Sequence, residues 1–468
     1  MNKLYLIWNK NKLVIEEGNY YLDKFKLHNV KLINLTFPEL GIIKVQKKRD
    51  ELILISDTIN SIELYITFFK NKITLSDTPI IKDLDIKNLK EFQRLGYCIN
   101  EKTIYKNTIL LTCSSKMVIN LNKNKQFKCN YLNNFNNFDY DFNKTLNNLN
   151  NLISNKTKIF NNYDKVILFL SAGYDSRLIL NLIAKQNLNN FYICVFGSIY
   201  SEETIFALNY AKKTKLPIID LSHKFFIRNI VHKRIELYKF LKNYSFTYTP
   251  NLDFFSACYD IKKKYPNERI ICLNGNSGDF TDGRQEMNDL NKFDQKFSFY
   301  NYKLAKRLKL NENEIEKNIQ EYNHQNRQGK YTISPRYTFE FYNFDHWHIF
   351  WEHKYLETIF SNDNFSKRRD ITKECLKYSN IFNFDVYRNS NKPYLKTLKY
   401  IFYFNRLISK YFLKNRCNFI FYCSSYTHVY QLFKFIDFLK IIIINKIDSQ
   451  SKGCVILTNK LIRKILTI

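Results

Sequence analysis

"VILFLSAGYDSRLIL", Val166–Leu180, is the stretch on which the reading of this chain turns. A run of Val, Ile, Leu and Phe ends at Leu170, and small and polar residues follow to Ser176. An apolar pattern then resumes at Leu178. A short apolar run bounded by turn residues predicts a buried strand, and the resumed pattern predicts a helix. "SAGYDS" would then sit at a helix start, where outward N–H groups and the helix dipole favour anions. Ser171 and Ser176 add hydroxyl donors. Asp175 would repel a phosphate unless a cation lay between them, so this aspartate predicts Mg2+. The Gly-Lys-Ser/Thr ending of a Walker loop is missing. The plainer alternative is a serine-capped helix after a strand.

Outward from this stretch, residues 160–290 alternate in period. "KVILFL", "FYICVFG", "PIIDLS" and "RIICLNG" predict strands, with amphipathic segments such as "SEETIFALNYAKKT" and "LDFFSACYDIKKK" between them. Continuous apolar strands alternating with helices predict a parallel sheet covered on both faces. Glycine supports this. Of the chain's 10 glycines, Gly173, Gly197, Gly275, Gly278 and Gly283 fall in less than a quarter of its length. The first three end predicted strands, where open α/β sheets bind ligands. A second loop, "LNGNSGDFTDG" (Leu273–Gly283), repeats the combination of small residues with an aspartate, so Asp279 is expected to share a metal with Asp175. A tight polar turn is the alternative there.

Residues 1–130 carry short runs such as "ELILIS", "IELYITFF" and "KMVINL", a pattern of packed antiparallel sheets. An Asn-rich linker follows, and then a helical pattern through Phe142, Leu146, Leu149, Leu152 and Ile153. Beyond residue 290 the period is mostly helical, with many aromatics. The chain has 468 residues, is 45% hydrophobic and carries a net charge of +30. The size allows two or three domains and excludes general disorder. The charge suits nucleic acid or an anionic membrane, but scarce Gly and Pro beside abundant Lys, Asn, Ile, Phe and Tyr point to genome composition as its source. The ten cysteines form no C-x-x-C pair, which fits a reducing cytoplasm rather than zinc or a disulfide framework. No run approaches the ~20 apolar residues that span a bilayer. A basic, aromatic tail resting on a membrane surface stays open. "DHWHIFWEH" (Asp345–His353) reads as aromatic packing with surface histidines, and "KRRD" (367–370) as a solvated helix start.

"FLSAGYDSRLIL" resembles the pyrophosphatase loop of ATP pyrophosphatases, usually Ser-Gly-Gly-x-Asp-Ser. "LNGNSGDFTDG" resembles the Ser-Gly-Glu-Gly-Ser-Asp-Glu stretch of the asparagine synthetase family, and "VFGSIYSEETIFALNYAKKTKLP" that family's second strand and helix. "LISDTINSIELYITF" and "EFQRLGYCINEKTIYKNTILL" are similar to the later part of its glutaminase-like front domain, and "FWEHKYLETIFSNDNFSKRRDITKECL" to its closing helices. The likeness spans about residues 50–400. It implies an α/β protein in three parts. Residues 1–130 form a degenerate glutaminase-like β-rich domain, and 131–400 a Rossmann-like ATP pyrophosphatase domain. Residues 401–468 form a helical basic and aromatic extension.

By the same resemblance, ATP and Mg2+ are the cofactors, and a small carboxylate and ammonia or an amine are the substrates. Leu170, Ser171, Ala172, Gly173, Asp175, Ser176, Val195, Phe196, Gly275 and Ser277 contact the nucleotide. Asp175 and Asp279 hold the metal, and Asn276 and Lys392 serve catalysis. The departures are Ala172 for the first Gly of the pair, Asn276 for a glutamate, and a start at Met1-Asn2-Lys3 in place of the nucleophilic cysteine. The front domain is therefore expected to lack glutaminase activity. An RNA-modifying ATP pyrophosphatase and an inactive homologue are the alternatives. The ligase reading disfavours nucleic acid as partner, leaves room for a homodimer and places the protein in the cytoplasm.

Overall fold

The computed structural model describes residues 5–9, 12–16, 43–61, 63–69, 72–80, 83–121, 126–132, 142–198, 202–223, 230–248, 250–278, 319–331, 334–352, 354–356, 373, 375–379 and 382. Over these residues the fold is mixed α/β, with two antiparallel sheets in front and one parallel sheet behind.

The front strands are β1 (Tyr5–Asn9), β2 (Lys12–Glu16), β3 (Lys44–Lys48), β4 (Glu51–Ile55), β5 (Tyr65–Phe69), β6 (Lys72–Ser76), β7 (Thr108–Leu110), β8 (Ser115–Asn120) and β9 (Phe127–Tyr131). They form a five-stranded sheet, β2-β1-β6-β5-β7, and a four-stranded sheet, β3-β4-β8-β9. Val45, Leu52, Leu54, Met117 and Ile119 of one sheet share a core with Ile66, Phe68 and Leu75 of the other. The alternation along β8, buried at Ser115, Met117 and Ile119, is the period-two pattern of a strand with one face inward. Helix α1 (Ile86–Leu95) starts on Asp85, whose carboxylate accepts from the Asn88 N–H at 3.0 Å, and ends on left-handed Gly96.

Helix α2 (Phe142–Phe160) leads into the parallel sheet. There β10 (Lys165–Phe169), β11 (Phe191–Ser198), β12 (Ile218–His223) and β13 (Ile270–Asn274) alternate with α3 (Tyr174–Ala184), α4 (Glu202–Thr214), α5 (Ile230–Asn243) and α6 (Leu252–Lys264). A fifth strand, β14 (Asp345–Trp347), pairs parallel to β13 after α7 (Ser334–Phe341). The order is β12-β11-β10-β13-β14, so the chain runs outward one way from β10 and then returns to its other side at β13. Every residue of β10 is buried. Val166 and Leu168 pack with α2, α3 and α4, while Ile167 and Phe169 pack with α5 and α6. This two-sided burial is why the strand reads as a continuous apolar run rather than an alternation.

All four predicted strand segments and the helices between them are thus present. "DHWHIFWEH" differs from its reading. Its first three residues are the edge strand β14, and His348 is buried at 6% exposure rather than on the surface. Most of residues 290–468, including "KRRD", His353 and the tail, lies outside the described residues.

Candidate functional site

The strand order reverses between β10 and β13, and in open α/β sheets ligands are taken at the carboxyl ends of the strands flanking such a reversal. Both loops leave from these ends. Register pairs Phe169 with Asn274, so "SAGYDS" and "GNSG" emerge side by side. They interlock. A Cβ built on Gly278 would stand 2.3 Å from the Asp175 Cγ, and one on Gly275 would stand 2.7 Å from the Ser176 backbone nitrogen. Glycine is required at both positions by space.

The first loop is shaped by its own serines. The Ser176 hydroxyl, buried at 2% exposure, accepts from the Ser171 N–H at 3.1 Å and lies 3.0 Å from the Ser171 Oγ. The Ser171 hydroxyl accepts from the Gly173 N–H at 3.1 Å. The N-cap of α3 is Gly173, which brings no capping side chain, so the serine cap of the alternative reading is absent at that position. Asp175 lies in the first turn. Arg177 follows, buried at 1% exposure, with Nε donating to the Gly173 carbonyl at 3.2 Å. Its guanidinium lies 4.9 Å from the Tyr174 ring, 5.1 Å from Phe206 and 5.6 Å from Tyr210. These faces hold a cation that burial would otherwise penalise.

In the second loop, the Asn274 Oδ1 accepts from the Asn276 N–H at 3.0 Å. The Nδ2 atoms of Asn274 and Asn276 are buried with no hydrogen-bond partner among the described residues. Ser277 has φ 70°, a left-handed conformation that costs an L-residue roughly 1–2 kcal/mol. Its hydroxyl donates to the Gln328 Oε1 at 2.7 Å. At the end of the neighbouring β14, both ring nitrogens of His348 are likewise without a partner among the described residues, and burial pushes its pKa down to about 4.

The structure therefore brings Ser171, Ala172, Gly173, Asp175, Ser176, Gly275, Asn276 and Ser277 together at one end of the sheet. Leu170 is a buried core residue whose N–H donates to the Cys194 carbonyl at 2.9 Å. Val195 is fully buried with its side chain in the core, whereas Phe196 is half-buried and lies edge-on to Phe169 at 5.7 Å and Phe254 at 5.4 Å. Asp279 and Lys392 lie outside the described residues. Lys373, which the sequence did not single out, has its Nζ 5.7 Å from the centre of the Tyr174 ring. Gln328 was also missed, and His348 was read only as a surface histidine. Each lies far along the chain from either loop, and no local motif marks it.

No protein-family model matches the chain, and no curated protein matches it. Among solved structures it is similar to an NH3-dependent NAD synthetase from Campylobacter jejuni, at 21% identity over 38% of this chain and 77% of that one, with a TM-score of 0.21. It is also similar to an NMN synthetase from Francisella tularensis, at 15% identity over 49% of this chain and 97% of that one, with a TM-score of 0.20. Both likenesses are faint and concern the fold alone. Among the described residues, no helix is long and apolar enough to cross a membrane.

Proposed function

We propose that the chain is an ATP-dependent, AMP-forming carbon–nitrogen ligase of the asparagine synthase type. In this reading residues 1–130 are a glutaminase-like sandwich kept as a scaffold, residues 131–400 are the synthetase domain, and 401–468 are an extension. The observation that carries the proposal is the interlocking of two small-residue loops at the strand reversal, with the Asp175 carboxyl seated on Gly278.

ATP would lie over the carboxyl ends of β10 and β13 with its phosphates at the start of α3, where N–H groups and the helix dipole favour negative charge. A substrate carboxylate attacks the α-phosphorus, and pyrophosphate departs toward Ser171–Ser176. An amine then attacks the acyl-adenylate, releasing AMP and leaving an amide. The Asn274 and Asn276 amide groups supply two donors for a substrate oxygen as it gains charge. Phe196, near the end of β11, would line the adenine pocket.

The donor set fits Mg2+, which takes one or two carboxylates alongside phosphate oxygens and keeps several waters. Asp175 and Asp279, which follows Gly278 directly in sequence, would be its carboxylate ligands. Among the described residues no three His, Cys, Asp or Glu side chains gather to hold a metal by themselves. Bound there, Mg2+ supplies charge neutralisation on the leaving group. The described front-domain cysteines support a scaffold role. Burial pushes the Cys98 and Cys129 thiols up to about 12 and Cys113 higher still, so none is a thiolate nucleophile at neutral pH.

The test is exchange of labelled pyrophosphate into ATP across a panel of aspartate, uronic acids and small peptides. Exchange with at least one acid is expected. No exchange with any of them, together with no ATP binding, would remove the proposal. Salt-sensitive retention of tRNA would turn the reading toward RNA modification.

A further inference from the structure

The second loop is strained at Ser277, whose hydroxyl bonds a residue 51 positions away. That residue, Gln328, closes a π-helix, Asn323–Gln328. Such helices are rare and often mark functional sites. This one is six polar residues, "NHQNRQ", of which all but Arg327 are buried. Its bonds run forward to the front domain. The His324 ring pairs its Nε2 with the Thr58 carbonyl at 2.7 Å and its Nδ1 with the Tyr131 hydroxyl at 2.6 Å. The Asn326 side chain pairs with the backbone and side chain of Asn100. Just beyond, the Lys330 Nζ donates to the Cys98 and Asn100 carbonyls at 2.5 and 2.7 Å. At its far end, the same segment meets the second loop through Gln328 alone among these named contacts.

We propose that Gln328 is a positioning residue for the nucleotide site: by accepting the Ser277 hydroxyl, it holds Gly275–Gly278 against Asp175 and ties that loop to the front sheets. Gln328 is buried at 2% exposure and Ser277 at 5%, so the bond is shielded from water, and no solvent stands ready to replace it. A left-handed serine without this bond has cheaper conformations, and any of them moves Gly278 off the Asp175 carboxyl. The inference rests on the nucleotide-site reading for its functional consequence, but its structural half stands apart from it.

The test compares the full-length chain with Gln328→Met, Ser277→Ala, the double variant and Gln328→Glu. Methionine keeps the length and removes the acceptor; glutamate keeps the acceptor. Amide hydrogen exchange is read over Leu273–Gly278, where the Gly278 N–H bonds the Gly275 carbonyl. Each single variant is expected to speed exchange there about tenfold, the double no further, and Gln328→Glu is expected to restore protection. With an active acid in hand, Gln328→Met raises the KM for ATP more than it lowers kcat. Unchanged loop exchange in a folded Gln328→Met protein, or additive single effects, would overturn the inference. If the parent protein binds no ATP, the ligase reading falls, while the exchange experiment still decides whether Gln328 holds the loop.

Discussion

At the scale of single residues, the site depends on two glycines that have no room for a side chain. Gly275 faces backbone, the Ser176 nitrogen, which cannot step aside. Gly278 faces the Asp175 side chain, whose carboxyl can rotate away but whose Cβ, 2.6 Å from the built atom, cannot. The two are therefore expected to fail differently. Gly275→Ala shifts the start of α3 and costs about 1–3 kcal/mol, read as a lower denaturant midpoint. Gly278→Ala costs a similar amount and also displaces the Asp175 carboxyl, so pyrophosphate exchange falls by more than the lost stability accounts for. Asp175→Asn keeps the shape and removes the charge. Its exchange activity is expected to drop at least about a hundredfold, with unchanged circular dichroism. Full activity in that variant would contradict the metal role.

At the scale of elements, the π-helix is a polar segment made into core. His324 is fully buried between Thr58 and Tyr131, stacks on Trp351 at 5.0 Å, and burial pushes its pKa down to about 4. His348, beside His346 and facing Arg336, is held down to about 4 in the same way. For both, the folded pKa lies below the ordinary value of 6.5, so the unfolded chain binds protons first as pH falls. Their stabilising effect is full above pH ~6.5 and is lost progressively down to about pH 4, by roughly 3 kcal/mol for each. Denaturation midpoints taken between pH 7 and pH 4 should fall accordingly, and His324→Gln should flatten part of that slope. Lys330 in the next helical turn is a buried amine donating to two carbonyls, and burial lowers its pKa. Lys330→Met removes both of those bonds from the interior and is expected to cost about 2–4 kcal/mol, read by the same titration.

At the scale of the whole molecule, front and back are not separable bodies. Phe92, Cys98, Ile104 and Tyr105 of the front segment pack in one core with Phe169, Phe240, Phe255 and Phe339 of the back. Tyr97 stacks on Tyr248 at 5.6 Å, and Arg336 reaches the Asn60 carbonyl at 3.4 Å and the Glu63 carboxylate at 4.0 Å. A fragment beginning near residue 131 would expose that face. It is expected to bind a hydrophobic dye and to unfold without a cooperative transition, where the full chain does neither. Mg2+ and ATP together should stabilise the intact chain by about 2.7 kcal/mol at a hundredfold excess over Kd, and removing Mg2+ with a chelator should abolish most of the shift.

The parallel sheet and its first loop were legible because their information is local. An apolar run buried on both faces, then small residues and an aspartate, then a helical period, mark β10, the loop and α3 in adjacent positions. The second loop was legible for the same reason. The edge strand β14 was not, because three residues of mixed polarity, Asp345–Trp347, pair only where β13 already offers an edge. Nor could the sequence show that "NHQNRQ" is interior, since polar side chains become core only where partners from Thr58, Tyr131, Asn100 and Ser277 meet them. By itself, the sequence determined which chemistry could assemble: an anion-favouring helix start with a carboxylate beside it. Tertiary structure alone decided that the two loops interlock, and that Gln328, remote in the chain, holds one of them in place. Local patterns encode burial and period, whereas hydrogen bonds between distant segments exist only once the sheets have closed around them.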